Sequence, residues 1–442
     1  MKWPIEDFNA LSETIVQFAA RNGADEVEVG LSEGSEFSVE VRNGEIEKLI
    51  EAGPRGVALK IIIDKRVANA STSDLCGETL SHLIKNTIRR ARLSNPDPYS
   101  GLPDKEDILV QNEDLQIYDH CIPDLQAEDK IESAKKLESI CLSDNRIQNS
   151  FGSSFSTSQG HLIIANSKGF LGSFRQTSVS SGVYLQVGSG SSLFEEGWYD
   201  GSRNLKDLMN PESIAEKAIH RATRLLNARK VPTQVVPVIL EPPITGGFLG
   251  FLYGCINGGN VYLKQSFLAE RLHEQIAHES VTITDTGLLP GAPGTRPFDG
   301  EGVPTRETVV VKKGVLTHFL TDTYSARKLG MKSTGNASGP NNFYLHPGNV
   351  DPEKIIRTVD RGLLLTGTIG QGLVPVTGDF SRGAFGLWIE KGEIAYPVAE
   401  ITISGNMGDL LRNIELIGND LEFKRSISGP TVKVSEMTVG GT

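Results

Sequence analysis

The segment from residue 377 to 413 constrains the fold most, because it predicts a tight antiparallel β-hairpin. Two runs of β-forming residues, at 385–389 and 393–399, lie on either side of a turn that ends at Gly392. A glycine in such a turn adopts backbone angles that other residues avoid, and turns of this kind join antiparallel strands. We therefore expect an antiparallel sheet in this part of the chain.

The region from residue 231 to 442 contains further strand-turn-strand units and predicts a mostly antiparallel, barrel-like β domain. An apolar run at 235–240 begins it, and runs at 309–311 and 315–320 flank a second turn, which ends at Gly314. Closely spaced strand-turn-strand units are typical of large antiparallel sheets and barrels.

Residues 1–105 predict an N-terminal α+β domain. Two helices are marked by apolar residues at helical spacing, namely Ile5, Phe8, Leu11, Ile15 and Phe18, then Leu80, Leu83, Ile84, Ile88 and Ala91. Between them, β-rich runs flank Asn43-Gly44 and Asp64-Lys65, which predicts two hairpins. The Pro, Gly and Asp residues at 94–107 predict a linker.

Residues 106–230 predict a central α+β segment. Apolar spacing indicates helices at 131–141 and 211–229, and the Ser- and Gly-rich run at 149–192 alternates as strands do. The predicted fold class is α+β. An N-terminal α+β half of hairpins plus helices precedes the barrel-like C-terminal domain.

The charge of the chain argues against nucleic acid as a partner. Lys and Arg number 44 against 55 Asp and Glu, which gives a net charge of -11, and no long basic run offsets it. Binding to a phosphate backbone needs a basic surface, so no nucleic acid is expected. The apolar runs are far shorter than the ~20 residues of a membrane helix, and the start shows no apolar signal segment. We expect a cytoplasmic protein that does not bind membranes.

Four blocks in the second half carry a family resemblance. They lie at 325–335, 377–413, 418–420 and 438–442, in the order that the family shows. The chain resembles the TldD/PmbA family, whose members were once labelled modulators of DNA gyrase and are now regarded as subunits of a cytoplasmic zinc metallopeptidase. The resemblance is strong over the last half and rests on the pattern of elements in the first half.

One string looks catalytic, since His273, Glu274 and His278 form the H-E-x-x-x-H pattern of the active branch of this family. Five residues turn a regular α-helix by about 500°, so the two histidines would lie about 140° apart. In the active branch the motif directly follows the strand and turn that correspond here to 235–247. We instead expect a solvated amphipathic helix whose core face is formed by Phe267, Leu268 and Leu272. A metal site at the three residues is the alternative.

The resemblance implies that this chain has lost the metal site. Gly250, Phe251 and Cys255 stand where the active branch has its first His, its Glu and its second His. That branch also has a cysteine ligand after the Gly-Asn-Asp block, and residues 421–442 contain no cysteine. A catalytic zinc needs three protein ligands and an open position. We therefore expect no catalytic residue, metal or cofactor in this chain, and a packed thiol at Cys255.

Asp379 and Arg382 are the candidates for contact with a peptide or a partner chain. Both lie in the glycine-flanked stretch at 378–383, which can be held at a surface where another main chain approaches. A salt bridge between the two side chains that fixes the hairpin is the alternative.

The resemblance implies the function of the PmbA/TldE branch, the subunit that lacks the metal ligands. Such a chain pairs with a TldD-like catalytic subunit that holds the zinc, and the complex degrades unfolded or flexible peptides. Two alternatives stay open. One is a stand-alone homo-oligomer, such as a homodimer, that binds peptides or regulates another protein, and the other is a metallopeptidase with its own metal at His273 and His278.

Overall fold

One long antiparallel sheet spans the first half of the chain. The computed structural model describes residues 3–105, 114–189 and 192–441. In these ranges the first sheet contains β1 (Glu26–Arg42), β2 (Glu45–Ala52), β3 (Arg55–Ile63), β4 (Arg66–Thr72), β5 (Ile147–Asn166), β6 (Leu171–Ser189) and β7 (Ser192–Ser202). Their order is β4-β3-β1-β5-β6-β7, and β2 pairs with the far end of β1. Strand β1 pairs with β5, so the first sheet includes strands from both sides of the predicted domain boundary between residues 105 and 106. The boundary itself stays a prediction.

Helices cover one face of this first sheet. They are α1 (Phe8–Arg21), α2 (Gly77–Leu93), α3 (Ala127–Leu142) and α4 (Pro211–Thr223), and Leu205–Asp207 forms a short 3-10 turn. Val27, Val29 and Leu31 alternate along β1 and are wholly buried in one core with α1 and α2. Burying each such side chain contributes about 1.5–3 kcal/mol. No helix in the described ranges combines the length and apolar character needed to cross a membrane.

Hairpin turns form where the sequence predicts them. Asn43 and Gly44 have φ angles of 54° and 77°, and Lys391 and Gly392 have φ angles of 52° and 78°. Positive φ at both central residues gives the turn whose twist matches that of the flanking strands. The strand pairs around these two turns are confirmed, and so is the pair around Asp64.

The second half of the chain combines many strands with short helices. In chain order it contains β8 (Gln234–Leu240), α5 (Pro242–Ile256), α6 (Gly258–Tyr262), β9 (Ile283–Thr286), β10 (Glu307–Lys312), β11 (Val315–Leu316), α7 (Thr323–Leu329), β12 (Asn342–Leu345), α8 (Pro352–Arg357), β13 (Arg361–Ile369), β14 (Leu373–Val374), β15 (Asp379–Glu390), β16 (Glu393–Asn406), α9 (Met407–Arg412), β17 (Ile414–Ile417), β18 (Ile427–Ser428) and β19 (Val432–Gly440). These strands build a closed barrel and a separate sheet.

The barrel is a ring in the order β13-β8-β19-β16-β15, with β14 and β17 paired at its margins. It closes because β15 pairs with β13 as well as with β16. The β8–β13 pair is parallel, and the other pairs of the ring are antiparallel. The predicted fold class, an α+β N-terminal half and a mostly antiparallel, barrel-like C-terminal domain, is confirmed.

The third sheet has the strand order β11-β10-β9-β12-β18 and lies against α5 through β12 and β18. Strand β11 has two residues, whereas the sequence predicts a strand over 315–320. The backbone N–H of Thr317 donates to the carbonyl oxygen of Val310 at 2.8 Å. The Thr317 hydroxyl donates to the carbonyl oxygen of Val309 at 2.7 Å. The regular ladder between β10 and β11 ends at the Val311–Leu316 pair.

An aromatic contact and an ion pair join the two halves. Phe298, which is 1% exposed, packs edge-on against Phe170 and Phe174, with ring centroids 5.3 and 5.2 Å away. Beside this contact, Lys60 Nζ on β3 lies 3.4 Å from Glu301 Oε1. The helix-free face of the first sheet is thereby held against the loop before β10.

The predicted linker at 94–107 is a packed connection in its described part. Leu102 is wholly buried, and its N–H donates to Glu26 Oε2 at 2.7 Å. The guanidinium of Arg327 donates to the carbonyl oxygen of Leu102, also at 2.7 Å. Residues 106 and 107 lie outside the described residues. The sequence predicts a linker here, and the structure shows that backbone groups of this linker bind both halves of the protein.

We expect Phe298→Ala to destabilise the protein by about 3–5 kcal/mol, because the change leaves a cavity between the two halves. A lower melting temperature of the purified chain measures the effect. Phe151→Ala is the control, since Phe151 is 40% exposed and its loss should change stability by less than about 0.5 kcal/mol. Equal melting temperatures for the two variants would contradict the role of Phe298.

Candidate functional site

Helix α5 follows strand β8 directly, at the place where the family resemblance puts a metal motif. Pro242 and Pro243 occupy its first turn, where their missing N–H groups leave no donor unpaired. The partly exposed flank of the helix carries Pro243, four glycines (Gly246, Gly247, Gly250 and Gly254) and Tyr253. None of these residues has a carboxylate, imidazole or thiol side chain, so this flank presents no usual metal ligand.

The three positions assigned to the metal motif do not fit a metal ion. Gly250 has no side chain, and a Cβ atom there would lie 3.8 Å from Ile427 Cδ1 on β18. Phe251 is 7% exposed and lies in the main core of the second half. Cys255 is wholly buried, and burial raises the pKa of its thiol to about 12. Metal binding needs the thiolate, so Cys255 is a packed thiol, as the sequence predicts.

The segment that follows the Gly-Asn-Asp block is fixed by contacts of other kinds. The ring of Phe423 meets Tyr344 edge-on, with centroids 5.1 Å apart. Lys424 Nζ lies 2.9 Å from Oδ1 of Asp200, a wholly buried carboxylate on β7. An aromatic pair and an ion pair with a buried carboxylate thus hold this segment against β12 and the first half.

Asp285 anchors a buried polar cluster beside α5. Its carboxylate accepts from the side-chain amides of Asn336 and Asn341 at 2.8 Å each and from the backbone N–H of Asn341 at 2.9 Å. The guanidinium of Arg296 donates to Asn341 Oδ1 at 2.8 Å. Burial raises the pKa of Asp285 despite these bonds. The cluster fixes the loop before β12. The Gly- and Asn-rich sequence of this loop did not predict a buried polar cluster.

Glu241 joins the start of α5 to the central segment. Its carboxylate accepts from Arg224 at 2.6 and 2.9 Å and from Arg221 at 3.0 Å. Arg221 also lies 3.3 Å from Glu196 on β7 and donates to the carbonyl oxygen of Thr366 on β13. All four charged side chains are no more than 15% exposed. Sequence reasoning missed this network, because its members lie on a strand, a helix end and a loop that meet only in the folded chain.

The predicted amphipathic helix around His273 is wrong. The chain from 265 to 282 is irregular, and His273 has a φ of 69°, which no α-helix allows. Its N–H donates to the carbonyl oxygen of Leu316, and the N–H of His278 donates to that of Leu411. These bonds to other elements replace helical bonds. Leu268 is wholly buried all the same, so the apolar residues still pack inward.

The H-E-x-x-x-H string does not gather around one point. His273, Glu274 and His278 are exposed. The ring of His278 pairs with Ser280 at 2.8 Å, and Glu274 forms an ion pair with Arg271 at 2.8 Å. In the described part of the chain no group of three or more His, Cys, Asp or Glu side chains could hold a metal ion.

Asp379 and Arg382 do not form the salt bridge that the sequence analysis gave as the alternative to a contact role. They lie three residues apart on β15, so their side chains point to opposite faces. Asp379 Oδ1 accepts from Asn406 Nδ2 at 2.9 Å, and hydrogen bonds from Thr377 and Asn406 lower its pKa. The guanidinium of Arg382 donates to the carbonyl oxygen of Gly370 at 2.9 Å. Each side chain fixes its own loop, and contact with a peptide or partner stays a prediction.

Comparison with known proteins identifies the scaffold. Three family models match consecutive parts of the chain: PmbA/TldA metallopeptidase domain 1 at residues 27–91, the central domain at 121–226 and the C-terminal domain at 233–441. The metalloprotease PmbA of Escherichia coli O157:H7 is 35% identical over 424 residues, which cover 96% of this chain and 94% of that protein. The chain belongs to the PmbA/TldD metallopeptidase family. The family resemblance is thereby confirmed.

Solved structures of PmbA/TldD proteins share the whole fold. A candidate modulator of DNA gyrase from Bacteroides thetaiotaomicron VPI-5482 matches with a TM-score of 0.92 and 31% identity, over 98% of both chains. TldE from Thermococcus kodakarensis matches with a TM-score of 0.86 and 23% identity, over 97% of this chain and 99% of that one. The second match is a likeness of fold.

We expect Glu241→Gln to lower stability by about 3 kcal/mol, because it leaves two buried arginines without their shared counter-charge. Thermal melting of the purified chain measures the loss. The matched control is Glu400→Gln, since the Glu400–Lys230 pair is largely exposed and contributes under about 1 kcal/mol. A Glu241 variant as stable as the control would contradict the importance of the network.

The variant His273→Ala with His278→Ala should leave the metal content of the purified chain unchanged, because the two rings do not converge on one point. Elemental analysis of zinc per chain, before and after dialysis against a chelator, measures this. His82→Ala is the control for loss of an exposed histidine. One zinc per chain that disappears only in the double variant would establish the alternative site.

Proposed function

We propose that this chain is the non-catalytic, TldE-type subunit of a two-chain zinc metallopeptidase that acts on unfolded or flexible peptides in the cytoplasm. In this proposal a TldD-type partner holds the zinc, the attacking water and the general base. One observation carries the proposal: α5 has Gly250, Phe251 and Cys255 where a metal-binding helix of this family needs His, Glu and His.

The burial of two of these positions supports the assignment. Phe251 and Cys255 face the core of the second half, where their side chains contribute packing. A change back to Glu and His would bury a charge and an imidazole, which costs several kcal/mol without partners. Helix α5 thus serves as a packing element, and chemistry at this helix would have to come from another chain.

The sheets offer a way to engage an extended peptide. Strands β4 and β7 lie at the two ends of the first sheet. An extended peptide can add to such an edge through main-chain hydrogen bonds, with little demand on its sequence. This fits substrates that are selected by flexibility rather than by a motif.

The proposal is tested by producing the chain with and without a TldD-type chain from the same cell. We expect the two chains to purify together, and we expect a flexible peptide to be cleaved by the pair but not by this chain alone. Zinc analysis should assign the metal to the partner. Peptidase activity of this chain alone would refute the proposal. A stable homo-oligomer that does not bind the TldD-type chain would favour the stand-alone binding protein.

As an internal control, the partner alone should be assayed with added zinc. If the partner alone is as active as the pair, this chain contributes nothing to cleavage, and the subunit role fails. If activity requires both chains, the pair can be assembled again with the Arg382→Ala variant in place of the native chain. The peptidase activity of this pair tests whether Arg382 contacts the peptide or the partner. Reduced activity at unchanged stability supports contact at Arg382.

A further inference from the structure

None of the residues of strand β2 (Glu45–Ala52) is buried, although the strand belongs to a packed sheet. Ile46 and Leu49 are 43% and 46% exposed. Their cross-strand neighbours on β1, Val41 and Val39, are wholly buried in a core that the helix layer covers. Ile46 and Leu49 therefore extend this core as an apolar strip that no other part of the described chain covers.

The outer edge of β2 has no partner strand in the part of the chain that the structure describes. Strands β2 and β3 pair one after the other with the same edge of β1, since the opposite edge of β1 pairs with β5. Strand β4 pairs with β3 from Val57 to Ile63 and leaves β2 uncovered. Alternate residues of such a strand direct their N–H and C=O groups outward, where a further strand can bind them. The vacant edge lies beside β2, in line with β4.

The hairpin formed by β1 and β2 carries a surplus of negative charge. Residues 36–52 contain five glutamates against two cations, Arg42 and Lys48. These cations lie 3.7 Å from Glu47 and Glu40, respectively. The other three glutamates form no ion pair with described residues: Glu36, Glu45 and Glu51.

This charge decides which segment can pair with β2. Pairing with β2 of a second copy would bring glutamates of both strands together, and like charges on paired strands are destabilising. Charged side chains protect exposed edges from self-association in this way. Lys130 on α3 lies over the ring of Phe37 and acts on Glu51, so Glu36 and Glu45 remain for an incoming cation.

The two faces of β2 favour different side chains in an added strand. Ile46 and Leu49 point to the helix side, because they lie opposite buried valines of β1. Glu45 lies opposite Arg42, and Glu36 lies opposite Ala52, on the other face of the sheet. Successive side chains of a strand point to opposite faces. A segment that alternates apolar and basic residues therefore matches both faces at once.

We propose that an extended cationic peptide binds along the outer edge of β2 as an added strand. Its main chain bonds to the outward groups of β2, its apolar side chains cover Ile46 and Leu49, and its basic side chains meet Glu36 and Glu45. The inference names the substrate class of the peptidase and rests on the proposed function in calling this peptide a substrate. Binding itself needs only the present chain.

The first test is a titration of the full chain with labelled acetyl-Lys-Val-Lys-Val-Lys-Val-Lys-amide at low salt, followed by fluorescence anisotropy. One control peptide has Glu in place of each Lys, and a second keeps every Lys but has Pro in place of the central Val. We expect both controls to bind at least about tenfold more weakly, since the first reverses the charge and the second cannot form a regular strand. Absence of binding by the cationic peptide, or equal binding of either control, overturns the proposal.

Hydrogen exchange of backbone amides locates the bound peptide. Exchange in residues 45–52 should slow about tenfold or more at saturating peptide, because outward N–H groups become hydrogen-bonded. Exchange in β4, the neighbouring edge strand, should stay as it is without peptide. Unchanged exchange at β2, or slowing at β4 alone, overturns the proposal.

A double variant assigns binding to the apolar strip. Ile46→Ser with Leu49→Ser should weaken peptide binding about tenfold at an unchanged melting temperature, because both side chains are exposed. The matched control is Leu171→Ser with Leu193→Ser, two leucines of the same sheet that are 43% and 47% exposed. This control should bind the peptide as the native chain does. Equal affinity of the β2 variant and the native chain overturns the proposal.

Two further measurements separate the other possible occupants of the edge. If the peptide does not bind and the β2 variant loses a homodimer that the native chain forms, the edge belongs to a second copy. If the β2 variant instead loses co-purification with a TldD-type chain, the edge belongs to that partner. Either result overturns the proposal. Failure of the peptide to bind while the native chain still purifies with its partner leaves the subunit role intact.

Discussion

The carboxylate of Glu241, held between Arg221 and Arg224, is the interaction on which the arrangement of the parts depends. It lies between β8 and α5, so it fixes the start of the central helix of the second half. Arg221 extends the network to Glu196 on β7 and to the β13 backbone. Charges this deeply buried stabilise a fold only when each has its partner, and a missing partner is costly. The network therefore specifies one arrangement of sheet, helix and barrel.

Around this junction the chain has the scaffold of the PmbA/TldD metallopeptidase family, and we propose that it lacks the metal ligands. The same strand-to-helix step that carries a metal motif in the active branch here carries glycine on its open flank and Phe251 and Cys255 on its buried side. The polar groups beside it, such as Asp285, are fully engaged in fixing a loop. In the proposed TldE-type role, this helix contributes packing and the partner chain provides the metal site.

Local patterns predicted local structure well. The turns at Gly44 and Gly392 follow from residues next to one another, because positive φ is decided within the turn. The helix around His273 was wrong because its backbone bonds to β11 and to α9, partners that apolar spacing cannot reveal. The network around Glu241 was missed because it joins side chains of β7, the end of α4 and the start of α5, which meet only in the folded chain.

The pairing of β1 with β5 has a consequence for synthesis of the chain. About a hundred residues separate the end of β1 from the start of β5. At a synthesis rate of about 5–20 residues per second, the edge of β1 that pairs with β5 stays unpaired for some 5–20 s on the ribosome. An unpaired strand edge invites association with other chains, and charged side chains discourage it. The five glutamates of β1, at positions 26, 28, 33, 36 and 40, supply such charged side chains on the nascent strand.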